Sequence, residues 1–389
     1  MMAKTTNEKR VTVAFGTRPE AIKLAPLIKE LELNQGINMA ICVTGQHREM
    51  LDQALEVFGV VPNIDFMVMR ENQNLHETFS AIFLAFKAHI DEFKPNLVLV
   101  HGDTTTSAAV SLACFFSNVR IAHIEAGLRT YNLQSPFPEE FNRQLVSKIA
   151  NYHFAPTLEN AQNLERELLP PESIFITGNT VVDALEFIKK GINSGESNNV
   201  IQNLKSELGF DFEVTPFVLI TAHRRENFGH GLAQICDALA SLARKHPSIY
   251  FVFPVHLNPN VQRVVRGSLE GLDNVILISP RDYIEFMVLL KFCIFVLSDS
   301  GGIQEEAPSF KKPLILLREN TERPEALTNK TAFMVGVETN AIIEMFEMVL
   351  SNIDAIEASL PIVNPFGDGK SSVRITQHIN DILRDIDNG

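Results

Sequence analysis

The chain has 389 residues, 45% of them hydrophobic and 21% charged, which is typical of a folded globular protein with about two or three domains. Its net charge of −13 argues against nucleic acid as the main partner, because non-specific binding of a phosphate backbone needs a basic surface. No apolar run approaches the ~20 residues that span a bilayer. The four cysteines are widely spaced, which predicts buried thiols in a cytoplasmic protein with no membrane partner.

Short runs rich in Val, Ile and Leu alternate along the chain with longer stretches of helical period. Continuous apolar strands between amphipathic helices indicate parallel sheets covered on both faces, so two such series predict two doubly wound, Rossmann-like α/β domains. The predicted strands are residues 11–15, 39–44, 97–101, 120–124, 152–155 and 174–177 in the first series, and residues 217–221, 250–254, 275–278, 292–297 and 314–317 in the second.

The boundary between the two domains is predicted near residues 178–183. We expect an N-terminal domain over residues 1–178 and a C-terminal domain over residues 179–370, with a surface loop at residues 191–199. The last helix, within residues 371–389, is expected to pack back onto the first domain. Ligands of such sheets bind beyond the carboxyl ends of the strands. We therefore predict the function from the residues at those ends.

The first strand leads into a helix that carries two cations, Arg18 and Lys23. Thr17 and Glu20 have the spacing of a capping box, and Pro19 suits the first turn of a helix. The free amides and the dipole of a helix N-terminus favour anions, so both cations are candidates for phosphate contact; the alternative is two solvated side chains on a well-capped helix. No strand–G-x-G-x-x-G–helix unit occurs, so the fingerprint of a nicotinamide cofactor is absent, and neither a cofactor nor a metal is predicted.

Acidic residues follow the next two long apolar strands, Asp103 after one and Glu125 after the other. Each has a structural alternative, Asp103 as a helix cap and Glu125 as the partner of Arg129. Because both acids follow consecutive parallel strands, we favour a function in one crevice. Glu139 and Glu140 open a further helix, where the dipole alone favours acids, so their local pattern indicates a structural role.

The second series has a glycine-rich turn, Ser300, Gly301 and Gly302, between a strand and a helix. Such a turn lets bare backbone amides approach a diphosphate. One turn into the helix, Glu306 can accept hydrogen bonds from both hydroxyls of a ribose; an ordinary helical glutamate after a glycine turn is the weaker alternative. Arg323, beyond the following strand, supplies another cation.

Two other strand ends of the second series carry histidines. His223 and Arg224 follow the first strand and can contact phosphate. His256 follows the second strand, where a structural role is about equally expected.

With these motifs the chain closely resembles the non-hydrolysing bacterial UDP-N-acetylglucosamine 2-epimerases. The glycine-rich block alone is less specific, because many glycosyltransferases of the same two-domain fold carry a similar one. The resemblance implies the glycosyltransferase-B type fold with the active site in the interdomain cleft, a homodimer, and reversible conversion of UDP-GlcNAc to UDP-ManNAc. It is carried by blocks in family order over nearly the whole chain, at residues 15–26, 100–107, 123–130, 135–143, 176–184, 221–227, 254–261, 297–308, 322–326 and 364–369.

The resemblance also implies roles for individual residues. It gives catalytic importance to Asp103, Glu125 and Glu139, and it includes His223 both at the UDP and among the catalytic residues. Family members often have an aromatic residue near the uracil where Phe286 stands, with Arg281 at a neighbouring position. The residues that it places at the UDP are Arg18, Lys23, His223, Phe286, Ser300, Gly301, Gly302, Glu306 and Arg323.

Some relatives bind a second UDP-GlcNAc beside the active site as an activator. The positions that match parts of that region here are Gln46, His47, Arg48, Arg224 and His256. The resemblance therefore implies allosteric activation by the substrate.

Inverting C2 of an acetamido sugar breaks a C–H bond that no adjacent carbonyl activates, and transient oxidation is hard to arrange without a nicotinamide. We therefore expect elimination of UDP to a 2-acetamidoglucal and re-addition of UDP with protonation from the other face, which supplies ManNAc for bacterial surface polysaccharide. The alternatives are a hydrolysing 2-epimerase, a glycosyltransferase of the same fold, and a nucleotide-sugar sensor without turnover.

Overall fold

The computed structural model describes residues 8–34, 36–45, 48–68, 70, 73–222, 224 and 227–388, without the side chains of residues 48–50, 387 and 388. The chain divides into two compact units. Unit 1 comprises Met1–Ala184 and Phe366–Gly389, and unit 2 comprises Leu185–Pro365.

Unit 1 is built on a parallel sheet. Its strands are β1 (Lys9–Phe15), β2 (Ile37–Val43), β3 (Ile64–Asp65), β4 (Leu97–His101), β5 (Arg120–Ile124), β6 (Tyr152–Ala155) and β7 (Ile174–Ile176). Within the described residues they pair in the order β3-β2-β1-β4-β5-β6-β7, and every pair is parallel. This is a doubly wound order, since the chain moves outwards from β1 in both directions.

The helices of unit 1 lie between these strands. They are α1 (Arg18–Glu32), α2 (Arg48–Val57), α3 (Leu75–Phe93), α4 (Thr105–Phe116), α5 (Glu139–Ile149), α6 (Leu158–Arg166) and the first turn of α7 (Thr180–Ser194). The last helix of the chain, α16 (Ser371–Asn388), packs against α1.

Unit 2 repeats the arrangement. Its strands are β8 (Phe217–Thr221), β9 (Tyr250–Pro254), β10 (Val275–Ile278), β11 (Val296–Ser298), β12 (Leu314–Leu316) and β13 (Ala332–Met334), paired in parallel in the order β10-β9-β8-β11-β12-β13. Its further helices are α8 (Asn198–Leu208), α9 (His230–Lys245), α10 (Pro259–Leu269), α11 (Tyr283–Phe292), α12 (Gly301–Glu306), α13 (Pro324–Thr328), α14 (Thr339–Ser351) and α15 (Ile353–Ser359).

Each unit has its own hydrophobic core. All residues of β4 and β8 are buried, as expected for apolar strands that are covered on both faces. In unit 2 the rings of Phe251, Phe295 and Phe346 pack together, with centroids 5.0 and 5.8 Å from that of Phe346. Burial of each such ring contributes about 1.5–3 kcal/mol. The four cysteines are free and buried, which confirms the predicted buried thiols.

Six predicted strands agree with the structure to the residue: β4, β5, β6, β8, β9 and β10. Strands β1 and β2 begin two residues earlier than predicted, and β2, β7 and β12 end one residue earlier. Strands β3 and β13, which the prediction omitted, are edge strands of two and three residues. The strand predicted at 292–297 begins too early, because α11 continues to Phe292 and β11 starts only at Val296. Unbroken apolar sequence fits a buried helix and a buried strand equally well, so periodicity could not separate them.

The loop predicted at residues 191–199 is also wrong. Helix α7 continues to Ser194 and α8 begins at Asn198, which leaves a turn of three residues. Ile188 and Ile192, four residues apart, are both buried and extend the apolar face of α7 past Gly191. None of the helices in the described residues combines the length and the apolar character that crossing a bilayer requires.

Candidate active site

Three predicted site residues of unit 1 follow neighbouring strands. Arg18 follows β1, Asp103 follows β4 and Glu125 follows β5, and these strands are adjacent in the sheet. The carboxyl ends of parallel strands meet at one edge of a sheet. The fold therefore brings these residues to the same edge of unit 1.

The turn between β1 and α1 is fixed by the buried carboxylate of Glu20. Its Oε2 accepts hydrogen bonds from the amides of Gly16 at 3.0 Å and Thr17 at 2.9 Å, and its Oε1 accepts one from Thr104 Oγ1 at 2.8 Å. Burial raises the pKa of Glu20, and these donors oppose that shift. Thr17 and Glu20 form the predicted capping box, so the helix start that carries Arg18 is tied to the start of α4.

Asp103 is oriented by α5. Arg143 Nη2 donates to Asp103 Oδ2 at 2.5 Å, and Asn142 Nδ2 donates to the backbone oxygen of Asp103 at 2.9 Å. The N-cap of α4 is Thr104, so the interpretation of Asp103 as a helix cap is wrong. The side chain of Asp103 is 25% exposed while that of Arg143 is buried, so the carboxylate is oriented but open to a ligand.

A buried histidine on β5, His123, supports the turn before Asp103. Its Nε2 lies 2.8 Å from the carbonyl oxygen of Gly102, so Nε2 must carry a proton and donate it. Burial lowers the pKa of His123 to about 3 and that of His153 on β6 to about 4, so both rings are neutral at neutral pH. Gly102 has a φ of 60°, which glycine adopts at little cost.

Glu125 is held in a strained but well-bonded position. Its φ of 61° lies in the left-handed region, which costs a non-glycine residue about 1–3 kcal/mol and persists only where the surroundings impose it. Its Oε1 accepts hydrogen bonds from the Lys23 ammonium and, at 2.8 Å, from Asn179 Nδ2. Its Oε2 lies 4.0 Å from His101 Nδ1. The side chain of Glu125 is only 8% exposed, so these groups define its place.

The predicted alternative partner of Glu125, Arg129, is bonded elsewhere. Its guanidinium donates to both carboxylate oxygens of Glu167, at 2.6 and 3.0 Å. Pairing of Glu125 with Arg129 is therefore wrong. Lys23, which the resemblance places at the UDP, does contact Glu125.

The two acids that open α5 have different environments. Glu140 is fully buried, and its carboxylate accepts hydrogen bonds from the backbone amides of Thr130 and Tyr131, both at 3.0 Å. It therefore holds the loop before α5. Glu139, the first residue of the helix, is partly exposed.

In unit 2, Asp299 anchors the glycine-rich turn between β11 and α12. Its fully buried carboxylate accepts hydrogen bonds from the backbone amide of Arg224 at 2.9 Å and from Asn227 Nδ2 at 3.0 Å. The Ser300 amide donates to Ser298 Oγ at 2.9 Å. The loop after β8 and the turn after β11 are thereby joined at the ends of adjacent strands.

Three arginines and two buried glutamates form an ion-pair network near this turn. Arg323 Nε donates to Glu305 at 2.6 Å, and Arg323 Nη1 donates to Glu322 at 2.5 Å. Glu322 also lies 3.0 Å from Arg318 and 3.6 Å from Arg224. The network thus concentrates three guanidinium groups close to the glycine-rich turn, where they can interact with an anionic ligand.

The guanidinium groups of this network lie against Gly301. A Cβ atom at Gly301 would stand 2.8 Å from Arg323 Nη1 and 3.1 Å from Arg224 Nη2. A Cβ atom at Gly302 would stand 4.0 Å from Glu306 Oε2, so that carboxylate lies above the start of α12. Unit 2 therefore brings together the predicted UDP residues Ser300, Gly301, Gly302, Glu306 and Arg323.

The other predicted positions are more scattered. Phe286 lies on α11 and is partly buried. The carboxylate of Glu207 accepts hydrogen bonds from both terminal nitrogens of Arg281. His256 is exposed after β9, and its Nδ1 accepts the Asn258 amide at 3.1 Å. The predicted positions that lie outside the described residues are Gln46, His47 and His223.

Sequence reasoning missed the residues that hold the acids and cations in place. Each lies in or beside a block that resembles the family, but its residue type also suits an ordinary helix or loop, so membership of a block was the only signal. These residues are Arg143, Asn179, Asp299, Glu305 and Glu322. The described part of the chain contains no group of three or more His, Cys, Asp or Glu side chains that could hold a metal ion.

Known proteins match the chain over both units. The family model for UDP-N-acetylglucosamine 2-epimerase matches residues 29–380. A UDP-N-acetylglucosamine 2-epimerase of Campylobacter jejuni is 46% identical over 370 residues, which cover 94% of this chain and 96% of that protein.

Two solved structures with nucleotide ligands are also similar. UDP-GlcNAc 2-epimerase from Neisseria meningitidis, bound to UDP-GlcNAc, has a TM-score of 0.91 and 44% identity over 96% of this chain and 100% of that one. The MnaA–UDP structure from S. aureus has a TM-score of 0.88 and 40% identity over 97% of each chain. The predicted fold class, two doubly wound domains of the glycosyltransferase-B type, is thereby confirmed.

Proposed function

Because this chain belongs to the UDP-N-acetylglucosamine 2-epimerase family, we propose that it interconverts UDP-GlcNAc and UDP-ManNAc by inverting C2 of the sugar. The UDP-GlcNAc bound to the Neisseria meningitidis relative supports this substrate. The observation that supports the proposal most is the pair of oriented carboxylates, Asp103 and Glu125, after adjacent strands of unit 1. An inversion needs one proton acceptor and one proton donor, and two separately held carboxylates can supply both.

The proposed reaction is an elimination followed by an addition. A carboxylate takes the C2 proton, the electron pair of the C–H bond forms the C1–C2 double bond, and UDP leaves C1 with the electrons of the C–O bond. UDP then adds back to C1 of the 2-acetamidoglucal while an acid protonates C2 from the opposite face. A positioned acid or base contributes about 10²–10⁴-fold to such a step.

Asp103, Glu125 and Glu139 are proposed to carry the proton transfers. The departing diphosphate is proposed to bind Arg323 and the amides at Ser300–Gly302, together with Arg18, Lys23 and His223. Glu306 is proposed to hold the ribose and Phe286 to contact the uracil. The guanidinium groups beside the glycine-rich turn support a role in stabilising the leaving group, and one preorganised donor contributes about 10²–10³-fold.

Four features implied by the resemblance stay predictions. They are a cleft shared by the two units, a homodimer, use of the product for surface polysaccharide, and activation by a second UDP-GlcNAc at the positions matched by Gln46, His47, Arg224 and His256.

Incubation of the protein with UDP-GlcNAc alone tests the proposed function. We expect UDP-ManNAc to accumulate to an equilibrium mixture, with no acceptor and no loss of nucleotide sugar, as followed by anion-exchange chromatography. Free ManNAc with UDP would instead indicate a hydrolysing epimerase. Turnover only with an added acceptor would indicate a glycosyltransferase, and binding without any turnover would indicate a sensor. Each of these three results would contradict the proposal.

A further inference from the structure

We infer that Asn179 is a positioning residue for Glu125, whose side-chain amide holds that carboxylate charged and correctly oriented for proton transfer. This inference rests on the proposed function, in which Glu125 exchanges a proton with the substrate. Asn179 stands just before α7 and does not itself contact the reacting atoms in the scheme above. It acts through Glu125.

The orientation of the Asn179 amide is determined by its neighbours. Its Oδ1 accepts the backbone N–H of Val181 at 3.0 Å, so the other end, Nδ2, faces Glu125 Oε1 at 2.8 Å. The backbone N–H of Asn179 donates to the carbonyl oxygen of Phe366 at 2.7 Å. Asn179 is only 2% exposed, so both ends of the residue are fixed before any ligand binds.

Lys23 and His101 also face Glu125, and both differ from Asn179 in kind. Lys23 reaches Glu125 from α1 through a long, rotatable side chain that is also proposed to approach the UDP. His101 reaches it from β4 at a distance of 4.0 Å, beyond a direct hydrogen bond. Asn179 offers a short, locked and uncharged donor, which can remain in place when the charges around the diphosphate change.

A purely structural role for Asn179 makes a different prediction, because the contacts divide between its two ends. Oδ1 accepts the hydrogen bond from Val181 at the start of α7, and the backbone N–H of Asn179 donates to Phe366. Nδ2 donates to Glu125, not to a group of the helix. A substitution that keeps an oxygen for Val181 but removes the donor to Glu125 therefore separates the two roles.

Asn179→Asp and Asn179→Ser are such substitutions, since both retain an oxygen two residues before Val181. Ionised aspartate has no donor, and the serine hydroxyl lies one bond closer to the backbone than the amide nitrogen that reaches Glu125. Losing a donor to a carboxylate raises its pKa, and a second carboxylate raises it further. We expect the limb of the kcat pH profile that depends on Glu125 to move up by about one to two pH units. That limb is the acidic one if Glu125 is the base and the alkaline one if it is the acid. The affinity for UDP should stay within about twofold, because Asn179 is not proposed to touch UDP.

Asn74→Asp is the matched control. Asn74 also uses its side-chain oxygen to hold an amide at a helix start, that of Glu77 at 3.0 Å, and it is exposed just before α3. We expect its pH profile to match that of the wild type. Circular dichroism shows whether each variant is folded, and Asn179→Ser carries the test if Asn179→Asp does not fold.

A titration without turnover separates this inference from the proposed function. Carbon NMR of protein labelled at the glutamate carboxyl carbons reports the pKa of Glu125, assigned with Glu125→Gln. Wild-type protein that makes no UDP-ManNAc would contradict the proposed function and leave this titration as the test of Asn179. An unchanged Glu125 pKa in folded Asn179→Ser, or an even loss of kcat at every pH, would overturn the inference.

Discussion

Glu125→Gln is expected to lower kcat for epimerisation by about 10²–10⁴-fold, the contribution of a positioned acid or base. The substitution preserves the size of the side chain and removes its ability to exchange a proton. UDP affinity should change much less than kcat, because Glu125 is not itself proposed to touch the diphosphate and reaches it only through its partner Lys23. Initial rates of UDP-ManNAc formation and calorimetric titration with UDP measure the two effects separately.

A loss of stability has to be distinguished from a loss of chemistry in this variant. Glu125→Gln leaves the Lys23 ammonium, whose side chain is 9% exposed, without its carboxylate, and breaking such a pair destabilises a protein. Adding Lys23→Met should restore thermal stability but not activity. Glu92→Gln, on the exposed face of α3, controls for the chemical change itself. Activity of Glu125→Gln within tenfold of wild type would contradict its proposed role.

Gly301→Ala is expected to weaken UDP binding by about 10–100-fold. The added methyl group would stand 2.8 Å from Arg323 Nη1 and 3.1 Å from Arg224 Nη2, so both guanidinium groups must move. Arg323 is 7% exposed and bonded to Glu305 and Glu322, which leaves it little room to move without breaking those ion pairs. A hydrogen bond to a charged group is worth about 1.5–3 kcal/mol, and about 1.4 kcal/mol corresponds to tenfold in affinity.

Gly267→Ala provides the control for this glycine. It lies within α10, and a Cβ atom there would meet no other atom within 4 Å. We expect unchanged UDP affinity and a gain of about 0.5–1 kcal/mol in the free energy of unfolding, because alanine favours a helix. Equal UDP affinities of Gly301→Ala and the wild type, measured by calorimetry, would contradict the proposed place of the arginine network in the nucleotide site.

Much of the fold follows from local pattern. Strands β4 and β8 were predicted to the residue because each is a continuous apolar run bounded by polar turns. Strands β3 and β13 were missed because two or three edge residues carry too little pattern to stand out from a loop. The start of β11 was misplaced because the last residue of α11, Phe292, already belongs to the apolar run that leads into the strand.

The candidate site was only partly predictable, because its contacts join residues far apart in sequence. Glu125 and Lys23 are 102 positions apart, and Glu125 and Asn179 are 54 apart. Local spacing placed the acids at strand ends but gave no information on which cation or amide meets them. Local spacing therefore suggested Arg129, only four positions away, as the partner of Glu125. In the structure Arg129 forms an ion pair with Glu167 instead.

Proton NMR of UDP-GlcNAc and the protein in deuterated water tests most directly whether carboxylates exchange the C2 proton through an eliminated intermediate. We predict that the UDP-ManNAc formed carries deuterium at C2, and that UDP-GlcNAc recovered after many turnovers is labelled at the same carbon. UDP-ManNAc that keeps its original proton at C2 would contradict the mechanism.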